Sequence, residues 1–532
     1  MSSLNEGKRG QSPFVRSTLR AVPADGDCPL FPGPKTYWRS LAELADAPEF
    51  RAFAAAEFAQ ADDDSGLSRR RWLQLMGASL ALAGVGGCRW QKRELLPLVN
   101  RPPHRVPGKP ERYATAMDLS GSALGLLVTC VDGRPIKIEG NPKHPQSLGA
   151  TSALAQASIL TLYDPDRSEN LHRRGIHGVE VSRWEQFAAF ARARMKDFQE
   201  TGGIGLAVLS EASSSPTLAA MRGRLQQRLP EARWFEYDPL SADNERLGSQ
   251  LAFGKPYRTH VVLRQAGVIV CLEADLLGSH PAAVQYAREF AERRNPTPGR
   301  MNRLYSVESG YSVTGAAADH RLAVPSGQIA AIAAALEREV SGRVGRGAGD
   351  PAEKADRTSQ FVQAAAEDLL AHRGRGVVAA GPSQPREVHA AVHRINAALG
   401  NVGKTVWYTA EPDADRPTHW EALRSLAAEM AAGRLQTLLI LGGNPVYDAP
   451  ADLSFAEALN QVPESIHLSQ YRNETSRRCL WHLPEAHWLE SWGDARAYDG
   501  TYSVVQPMIE PLRGGKSGIE VLELLLSDHP AN

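Results

Sequence analysis

The sequence predicts an α/β fold with a small β-hairpin domain and two doubly wound domains, each built on a parallel sheet. Three observations support this prediction. Short apolar runs of strand length recur after residue 181, helix-length segments separate them, and the Gly-rich stretch 341–350 divides them into two similar halves. Strand, helix and strand at this spacing are typical of a parallel sheet that helices cover on both faces.

The chain of 532 residues is long enough for several packed units. The predicted segments are, in chain order, an N-terminal extension with a docking helix (1–67), a signal-like segment (68–88), a Pro-rich tether (89–112), a hairpin domain (113–180), a first α/β domain (181–340), a linker and helix (341–375), and a second α/β domain (376–532). The tether is expected to be extended, because proline cannot join a sheet interior.

Composition and charge exclude some classes of function. The chain is 42% hydrophobic and 23% charged, as expected for a globular protein. Its 60 basic and 60 acidic residues balance, so the net charge does not indicate binding to nucleic acid. The five cysteines lie far apart and form no Cys-x-x-Cys pair, so they predict no local metal site. Cys130 and Cys271 lie in apolar, strand-like runs and are expected to be buried thiols outside any disulfide.

Residues 68–88 have the build of an export signal. They begin with a basic group that includes Arg69 and Arg70, continue with about a dozen apolar residues, and end with small residues before Cys88. This apolar stretch is shorter than the roughly 20 residues that span a bilayer. Arg69 and Arg70 resemble a twin-arginine export signal, and Cys88 resembles the acylated cysteine of a lipoprotein cleavage box. An ordinary amphipathic helix is the alternative interpretation of this basic, apolar segment, although residues 75–85 carry no charge. The 67 residues that precede the motif argue against routine processing, because export signals normally begin the chain.

The hairpin prediction depends on a single turn. Apolar and polar residues alternate in 128–131 and again in 135–139, with Asp132 and Gly133 between the two runs. Alternating runs on either side of Asp-Gly are the strongest short-range signal for a β-hairpin. A surface hairpin in any α/β protein would give the same pattern.

The first half of the α/β region contains a candidate binding loop. Ser213, Ser214 and Ser215 follow the predicted strand 205–209 and precede Pro216. Serines at this place suit a phosphate-binding helix start. They suit a helix N-cap and turn equally well.

The second half contains a similar loop. The predicted strand 437–441 runs directly into Gly442, Gly443 and Asn444, followed by Pro445. Glycines let backbone amides approach a phosphate, and asparagine offers both a donor and an acceptor. Ligands of doubly wound sheets usually bind outside the carboxyl ends of the strands. The two loops are therefore the candidate groove, although Gly-Gly-Asn-Pro alone is a common turn.

Other acidic and basic residues predict structural roles. Glu308, Asp319 and His320 lie near one another without metal spacing or a nucleophile, so we expect salt bridges. His144 and His172 are isolated and are expected to be hydrogen-bonded surface residues. The tail, 474–522, is predicted to be a rigid loop that docks against the sheet. Its polar residues of interest are His482, His487, Glu490 and Asp494, and Pro484 lies between the two histidines, which argues against a metal site.

Two motifs carry a family resemblance. DGRPIKIEGNPKHP (132–145) with LYDPDR (162–167) resembles the first domain of the molybdopterin oxidoreductases of the dimethyl sulfoxide reductase family, and LLILGGNPVYDAP (438–450) resembles the family's contact to the pterin dinucleotide. In that family a Cys-rich iron–sulfur loop precedes the hairpin. Residues 114–127, ahead of the hairpin, and residues 147–160, between the hairpin and LYDPDR, contain no cysteine. An iron–sulfur cluster needs about four thiolates. The resemblance therefore implies a molybdopterin-oxidoreductase-like fold with a degenerate iron–sulfur domain.

A longer resemblance covers nearly the whole chain. The leader (37–50), residues 301–322 and residues 442–511 resemble the iron–sulfur subunit of alternative complex III, a membrane-bound quinol oxidoreductase. In that subunit a molybdopterin-like half without molybdenum precedes a ferredoxin-like half with several clusters. This chain ends at Asn532 before any such half, which implies a separate cluster-bearing polypeptide or a split or truncated gene.

The resemblance implies a cofactor-free, exported structural subunit on the periplasmic face of the cytoplasmic membrane. Its implied partners are an iron–sulfur ferredoxin-like module, a polytopic quinol-binding membrane subunit and haem c subunits. Neither molybdopterin nor an iron–sulfur cluster is expected on the chain, and no catalytic or metal-binding residue is assigned. The alternatives are an active molybdopterin-dependent oxidoreductase, with its metal ligand near Ser213 to Ser215, and a lipoprotein that binds a nucleotide-like ligand in the old pterin groove.

Overall fold

The structure is a computed structural model that describes residues 106, 108–119, 121–176, 178–296, 301–343, 356–411 and 413–527, together with positions 45, 47, 48 and 51. The chain divides into two compact units, 1–100 and 101–532, and the fold below is that of the second. Arg69, Arg70 and Cys88 lie outside the described residues, as does nearly all of the predicted docking helix.

The described strands are numbered in chain order. They are β1 Glu111–Leu119, β2 Ser122–Val131, β3 Arg134–Gly140, β4 Leu171–Gly175, β5 Gly178–Ser182, β6 Leu206–Ser210, β7 Arg233–Glu236, β8 Tyr257–Val261, β9 Val268–Leu272, β10 Arg303–Glu308, β11 His320–Ala323, β12 Gly376–Ala380, β13 Val406–Ala410, β14 Thr437–Leu441, β15 Glu464–Ser469, β16 Trp481–Pro484, β17 Gly493–Arg496 and β18 Tyr502–Val505.

The described α-helices are numbered in the same way. They are α1 Ala153–Leu162, α2 Trp184–Thr201, α3 Pro216–Arg228, α4 Asp243–Phe253, α5 Ala283–Glu292, α6 Val313–Ala316, α7 Ile329–Arg343, α8 Arg357–Ala371, α9 Arg386–Ala398, α10 His419–Ala431, α11 Pro445–Asp448, α12 Phe455–Leu459, α13 Glu474–Arg478 and α14 Gly518–Leu526. Short 3₁₀ turns occupy Leu263–Gln265, Ser326–Gln328 and Ala451–Leu453. Within the described residues, no helix combines the length and the apolar character that crossing a membrane requires.

The predicted hairpin is confirmed. Strands β2 and β3 pair antiparallel, with Val131 opposite Arg134 and a two-residue turn between them. Asp132 and Gly133 have φ values of 51° and 83°, and positive φ at both positions is the requirement of a type I′ turn. The sequence reasoning missed β1, which pairs antiparallel with the other side of β2 and completes a three-stranded sheet.

Two larger sheets form the α/β region. The seven-stranded sheet has the order β5-β4-β16-β15-β14-β6-β7. Its five strands from β16 to β7 are parallel, and β4 and β5 add an antiparallel hairpin at one edge. The four-stranded sheet has the order β11-β10-β9-β12 and is parallel throughout. Strands β8 and β13 form a separate antiparallel pair, as do β17 and β18.

The sheets divide the chain differently from the predicted domains 181–340 and 376–532. The seven-stranded sheet takes β6 and β7 from the first segment and β14 to β16 from the second, and the four-stranded sheet adds β12 to three strands of the first. The chain therefore crosses between sheets twice. Strand spacing identifies the elements, but the pairing partners are chosen by contacts between distant segments.

The core confirms the doubly wound arrangement. In the seven-stranded sheet, Val208 and Leu439 pack with residues of α2, α3 and α14 on one face. Ala207 and Leu438, one residue along each strand, pack with α10 and α12 on the other face. Successive side chains of a strand point to opposite faces, so strands buried on both faces are apolar throughout. Cys130 and Cys271 are buried outside any disulfide, as predicted.

Part of the tail differs from the prediction of a docking loop. Trp481–Pro484 is a strand, β16, that lies between β15 and β4 in the seven-stranded sheet. All four of its residues are buried. Proline is uncommon in an interior strand, which is why composition did not reveal it.

Candidate functional site

The two predicted groove loops lie at neighbouring strand ends. Ser213 to Ser215 follow β6, and Gly442 to Asn444 follow β14. Strands β6 and β14 pair in parallel, with Ser210 opposite Leu441. The carboxyl edge of the seven-stranded sheet therefore brings together the residues that the sequence placed in one groove.

The first two serines of the groove are hydrogen-bonded to a carboxylate of the same chain. The Ser213 hydroxyl donates to Asp118 Oδ2 at 3.0 Å. The Ser214 amide and hydroxyl donate to the same oxygen at 3.0 and 3.2 Å. Burial raises the pKa of Asp118, and the bonds from Ser214 and Ser213 oppose that rise. The hydrogen-bond donors of Ser213 and Ser214 are therefore already bonded to Asp118.

The third serine caps a helix, as one of the two interpretations predicted. Ser215 Oγ accepts a hydrogen bond from the Leu218 amide at 3.1 Å at the start of α3. The Ser215 hydroxyl also donates to Asp494, and the Thr217 hydroxyl donates to Asp494 Oδ2 at 2.6 Å. A helix N-terminus favours an anion because its amides are unpaired, and here that anion is the Asp494 carboxylate.

The glycines of the groove make room for a carboxylate. Gly442 and Gly443 have φ values of 76° and 67°, a region in which glycine is unstrained. A β-carbon on Gly442 would lie 2.2 Å from Glu211 Oε2. The Gly443 backbone donates a hydrogen bond to Glu211. The close approach of backbone to an anionic group, predicted for a ligand phosphate, is made to the chain's own side chain.

Asn444 is also satisfied within the chain. Its Nδ2 donates to Glu474 Oε2 at 2.7 Å. Its Oδ1 accepts from the Thr475 amide at 3.2 Å and the Thr475 hydroxyl at 2.8 Å. The donor and the acceptor that could read a ligand both hold the turn between β14 and α11.

The same edge brings acidic side chains close together, and their surroundings favour the neutral form. Burial raises the pKa of Glu211 to about 7, with a further rise from the charge of Asp238, although the side chain keeps contact with water. Burial also raises the pKa of Glu485 to about 8, and the charge of Glu211 adds to this while Arg167 opposes it. Removing a carboxylate from water disfavours its charged form. An additional anion at this edge would disfavour the charged form of these carboxyl groups further.

A second carboxylate organises the carboxyl edge of the four-stranded sheet. Glu273 directly follows β9 and has φ 55°. We call Glu273 and its hydrogen-bond donors, which follow β10, β11 and β12, the Glu273 cluster. The donors are the Ser309 hydroxyl, the Ser326 hydroxyl at 2.6 Å, the Ser383 hydroxyl at 3.2 Å and the Gln384 amide at 2.5 Å. Burial alone would raise the pKa of Glu273, but these hydrogen bonds lower it.

The acidic residues predicted to form salt bridges do so. Glu308 accepts from Arg321 Nε at 2.5 Å, and Asp319 pairs with Arg294 at 2.8 Å. The His320 ring stacks on Tyr305 with ring centroids 4.7 Å apart. This region is therefore structural, and within the described ranges no group of three or more His, Cys, Asp or Glu side chains has metal-binding geometry.

The LYDPDR motif holds the tail through a buried ion pair. Arg167 is 3% exposed and makes two parallel hydrogen bonds to Glu490, at 3.1 and 2.7 Å. Glu490 also accepts from the amides of His487 and Leu512. Burial alone would raise the pKa of Glu490, but the hydrogen bond from Arg167 lowers it. The Arg167–Glu490 pair therefore joins the hairpin domain (113–180) to the tail.

The predicted histidines take structural positions. His482 and His487 are buried and bond to hydroxyls, Ser476 at 2.9 Å and Thr161 at 3.0 Å respectively. Burial lowers the pKa of His482 to about 3 and that of His487 to about 4, which keeps both rings neutral. Neither histidine belongs to a metal site in the described part of the chain.

The surface prediction for His144 is wrong. Its side chain is 8% exposed, and Nε2 lies 3.1 Å from the Ser503 hydroxyl. The ring packs against Gly125, where a β-carbon would come within 2.1 Å of it. The space left by this glycine admits the ring to the interior. His172 is half-buried, and its ring stacks on His482.

Sequence reasoning missed the carboxyl groups that lie at the carboxyl edges of the two large sheets. Glu211, Glu273 and Glu485 are each the first residue after a buried parallel strand. That position is where ligand-binding residues of doubly wound folds occur. For Glu211 and Glu273, an acidic residue directly after an apolar run was therefore an available signal. Asp118 gave no such signal, because it lies in a different sheet.

Comparisons with known proteins agree with this architecture. No family model matches the chain. The chain is 23% identical over 471 residues to the menaquinone reductase, molybdopterin-binding-like subunit, of Nitratidesulfovibrio vulgaris, which covers 79% of this chain and 67% of that protein. The structure is similar to acetylene hydratase from Pelobacter acetylenicus, with a TM-score of 0.55 and 12% identity over 77% of this chain and 67% of that one. The described part of the chain therefore has a molybdopterin-oxidoreductase-like α/β fold.

Proposed function

We propose that this chain is an exported, cofactor-free structural subunit of a membrane-bound quinol:electron-acceptor oxidoreductase complex of the alternative complex III type. The similarity to a subunit of a menaquinone reductase supports a place in a quinone oxidoreductase complex. The cysteine-free segments around the hairpin, 114–127 and 147–160, support the absence of an iron–sulfur cluster.

One structural observation carries the cofactor-free proposal. At the carboxyl edges of both sheets, the groups that would bind a ligand instead bind carboxylates of the chain itself. Ser213 and Ser214 donate hydrogen bonds to Asp118, and the donors of the Glu273 cluster bond to the Glu273 carboxylate. A pterin dinucleotide carries phosphates, which would need these donors and would be repelled by the acidic groups. The residues present do not fit that cofactor.

In this proposal the chain positions its partners. The buried Arg167–Glu490 pair fixes the hairpin domain to the tail, and the hydrogen-bonded carboxylates at the carboxyl edges of the two sheets stabilise the strand ends. The proposed partners are an iron–sulfur ferredoxin-like module, a polytopic quinol-binding membrane subunit and haem c subunits. The chain would hold the electron-carrying module in register with the quinol site at the periplasmic face of the membrane.

Metal analysis of the purified complex tests the proposal. The complex would be extracted from membranes in mild detergent, and molybdenum, tungsten and iron would be measured per copy of this chain. We expect iron from the partner subunits and no stoichiometric molybdenum or tungsten. Molybdenum or tungsten at about one atom per chain would establish the active molybdopterin enzyme instead. Recovery of the chain alone, without haem or iron–sulfur partners, would contradict the complex.

Export and lipidation need a separate test. We propose that Arg69 and Arg70 direct twin-arginine export and that Cys88 is acylated as the first residue of the mature protein. Intact mass of the membrane-extracted protein should then correspond to a chain that begins at Cys88 with attached lipid. A Cys88→Ala variant should lose the lipid, and a double Arg69→Lys, Arg70→Lys variant should remain in the cytoplasm. An unprocessed N-terminus in the wild-type protein would contradict this route.

A further inference from the structure

The amino edge of the four-stranded sheet contains a basic cleft that the proposed function does not use. Its volume is about 610 Å³, and we define it by Arg264, Arg293, Arg375, Lys404 and Trp407. Arg375 directly precedes β12, Arg264 precedes β9, and Arg293 directly follows α5. The cleft is therefore at the opposite edge of the sheet from the Glu273 cluster.

The charges of the cleft are not neutralised within the described residues. None of its four cations forms an ion pair with a carboxylate of those ranges, whereas Arg294, next to Arg293, pairs with Asp319 at 2.8 Å. The Nε of Arg293 is buried and has no hydrogen-bond partner there. A buried donor without a partner in the chain is costly unless water or a ligand supplies the acceptor.

Helix ends explain part of this arrangement. Helices α5, α8 and α9 end just before loops that line the cleft. A helix C-terminus favours nearby cations. That effect accounts for basic residues on this edge. It does not require three arginines and a lysine to line one concave site together with an aromatic ring.

The ring gives the cleft a second recognition element. Trp407 is 51% exposed, and its indole N–H donates to the Lys404 carbonyl at 3.2 Å, which places the ring beside the cations. Arginine binds phosphate through paired donors, and an exposed indole offers a stacking surface for a base. The volume lies in the range of small-molecule sites.

We propose that the basic cleft binds a phosphate-bearing polyanion, with the phosphates against Arg264, Arg293, Arg375 and Lys404. The exposed ring of Trp407 favours a nucleoside diphosphate over a bare phosphate. An anionic lipid headgroup has the same phosphate chemistry and is the other possible source. This inference is independent of the subunit role, because the cleft lies outside the carboxyl edges on which that role rests.

Equilibrium binding to the full-length protein tests the cleft with three probes: ADP, inorganic pyrophosphate, and vesicles of phosphatidylglycerol with phosphatidylcholine vesicles as the reference. We expect saturable ADP binding that weakens as salt increases. Arg375→Ala and Lys404→Ala should each weaken it by roughly tenfold or more, since a charge-assisted hydrogen bond is lost. Trp407→Ala should weaken ADP binding more than pyrophosphate binding.

The matched control is Arg192→Ala, an exposed arginine of α2 without an ion pair to the described carboxylates. It should bind every probe as the wild-type protein does, and circular dichroism should show that all variants are folded. Binding of phosphatidylglycerol vesicles alone, with sensitivity to Arg375→Ala, would identify the lipid headgroup as the source. Absence of saturable binding for every probe, or equal binding by wild-type and cleft variants, would overturn the proposal.

Discussion

The two edges of the four-stranded sheet differ in whether their charged side chains have partners among the described residues. At the carboxyl edge, Glu273 accepts hydrogen bonds from four side chains that follow the neighbouring strands. At the amino edge, the four cations of the basic cleft have no described carboxylate partner. Ligands of open α/β sheets normally bind at the carboxyl edge. The difference teaches that polar residues at the carboxyl edge of such a sheet can bond to one another and stabilise the strand ends.

We expect the largest effect on stability at the buried Arg167–Glu490 ion pair. Arg167→Met leaves the Glu490 carboxylate buried without its cation, and we expect the free energy of unfolding to fall by about 3–5 kcal/mol. Urea denaturation measures this change. The control Arg192→Met should stay within about 0.5 kcal/mol of the wild-type protein. A loss below about 1 kcal/mol for Arg167→Met would contradict a structural role for the pair.

The next effect is expected in the Glu273 cluster. Glu273→Ala removes the acceptor of four donors, and we expect a loss of about 1–3 kcal/mol in unfolding free energy. Ser383→Ala removes a single exposed donor and should cost less. ADP binding should be unchanged in both variants. A Glu273→Ala protein as stable as the wild type would show that the cluster does not hold the strand ends together.

A third prediction concerns the pH dependence that a buried carboxyl group, Glu485, gives to stability. Glu485 has a folded-state pKa raised to about 8 from 4.5, so the folded state holds a proton that the unfolded state has lost. Stability should therefore fall as pH rises from about 4.5 through about 8. Between pH 6 and 8.5 we expect a loss of about 2–3 kcal/mol. Glu485→Gln should flatten this slope, while the exposed-site control Glu185→Gln should retain it. An unchanged slope in Glu485→Gln would assign the titration elsewhere.

The smallest stability effect is expected in the basic cleft. Arg375→Ala and Lys404→Ala remove exposed charges without ion pairs to the described carboxylates, so the unfolding free energy should change by less than about 0.5 kcal/mol. Thermal and urea denaturation check this. A loss above about 1.5 kcal/mol in either variant would mean that the cleft is structural, and the contrast between the two edges would disappear.

Local patterns predicted the elements well. The apolar runs 205–209 and 437–441 correspond closely to β6 and β14, and the Asp132-Gly133 turn is where it was expected. These features depend on neighbouring residues alone. Strand β16 was missed because its position between β15 and β4, rather than its composition, makes WHLP a strand.

The candidate site was predicted in part. The sequence identified Ser213 to Ser215 and Gly442 to Asn444, and the structure places them at adjacent strand ends. It did not identify Asp118 or Glu474, whose carboxylates take their hydrogen bonds. A donor's residue type shows that it needs an acceptor, but does not show which part of the chain supplies one.

The sequence by itself determined the kinds of elements, the geometry of the hairpin turn and the absence of cysteines from the segments around the hairpin. Each of these depends on residue type and short-range spacing. Only the tertiary structure decided which strands pair, which carboxylates accept hydrogen bonds from the groove residues and where the cations of the basic cleft converge. The physical reason is distance along the chain: Ser213 and Asp118 are 95 residues apart, and Arg167 and Glu490 are 323 apart. Such partners meet only when the fold brings distant segments together.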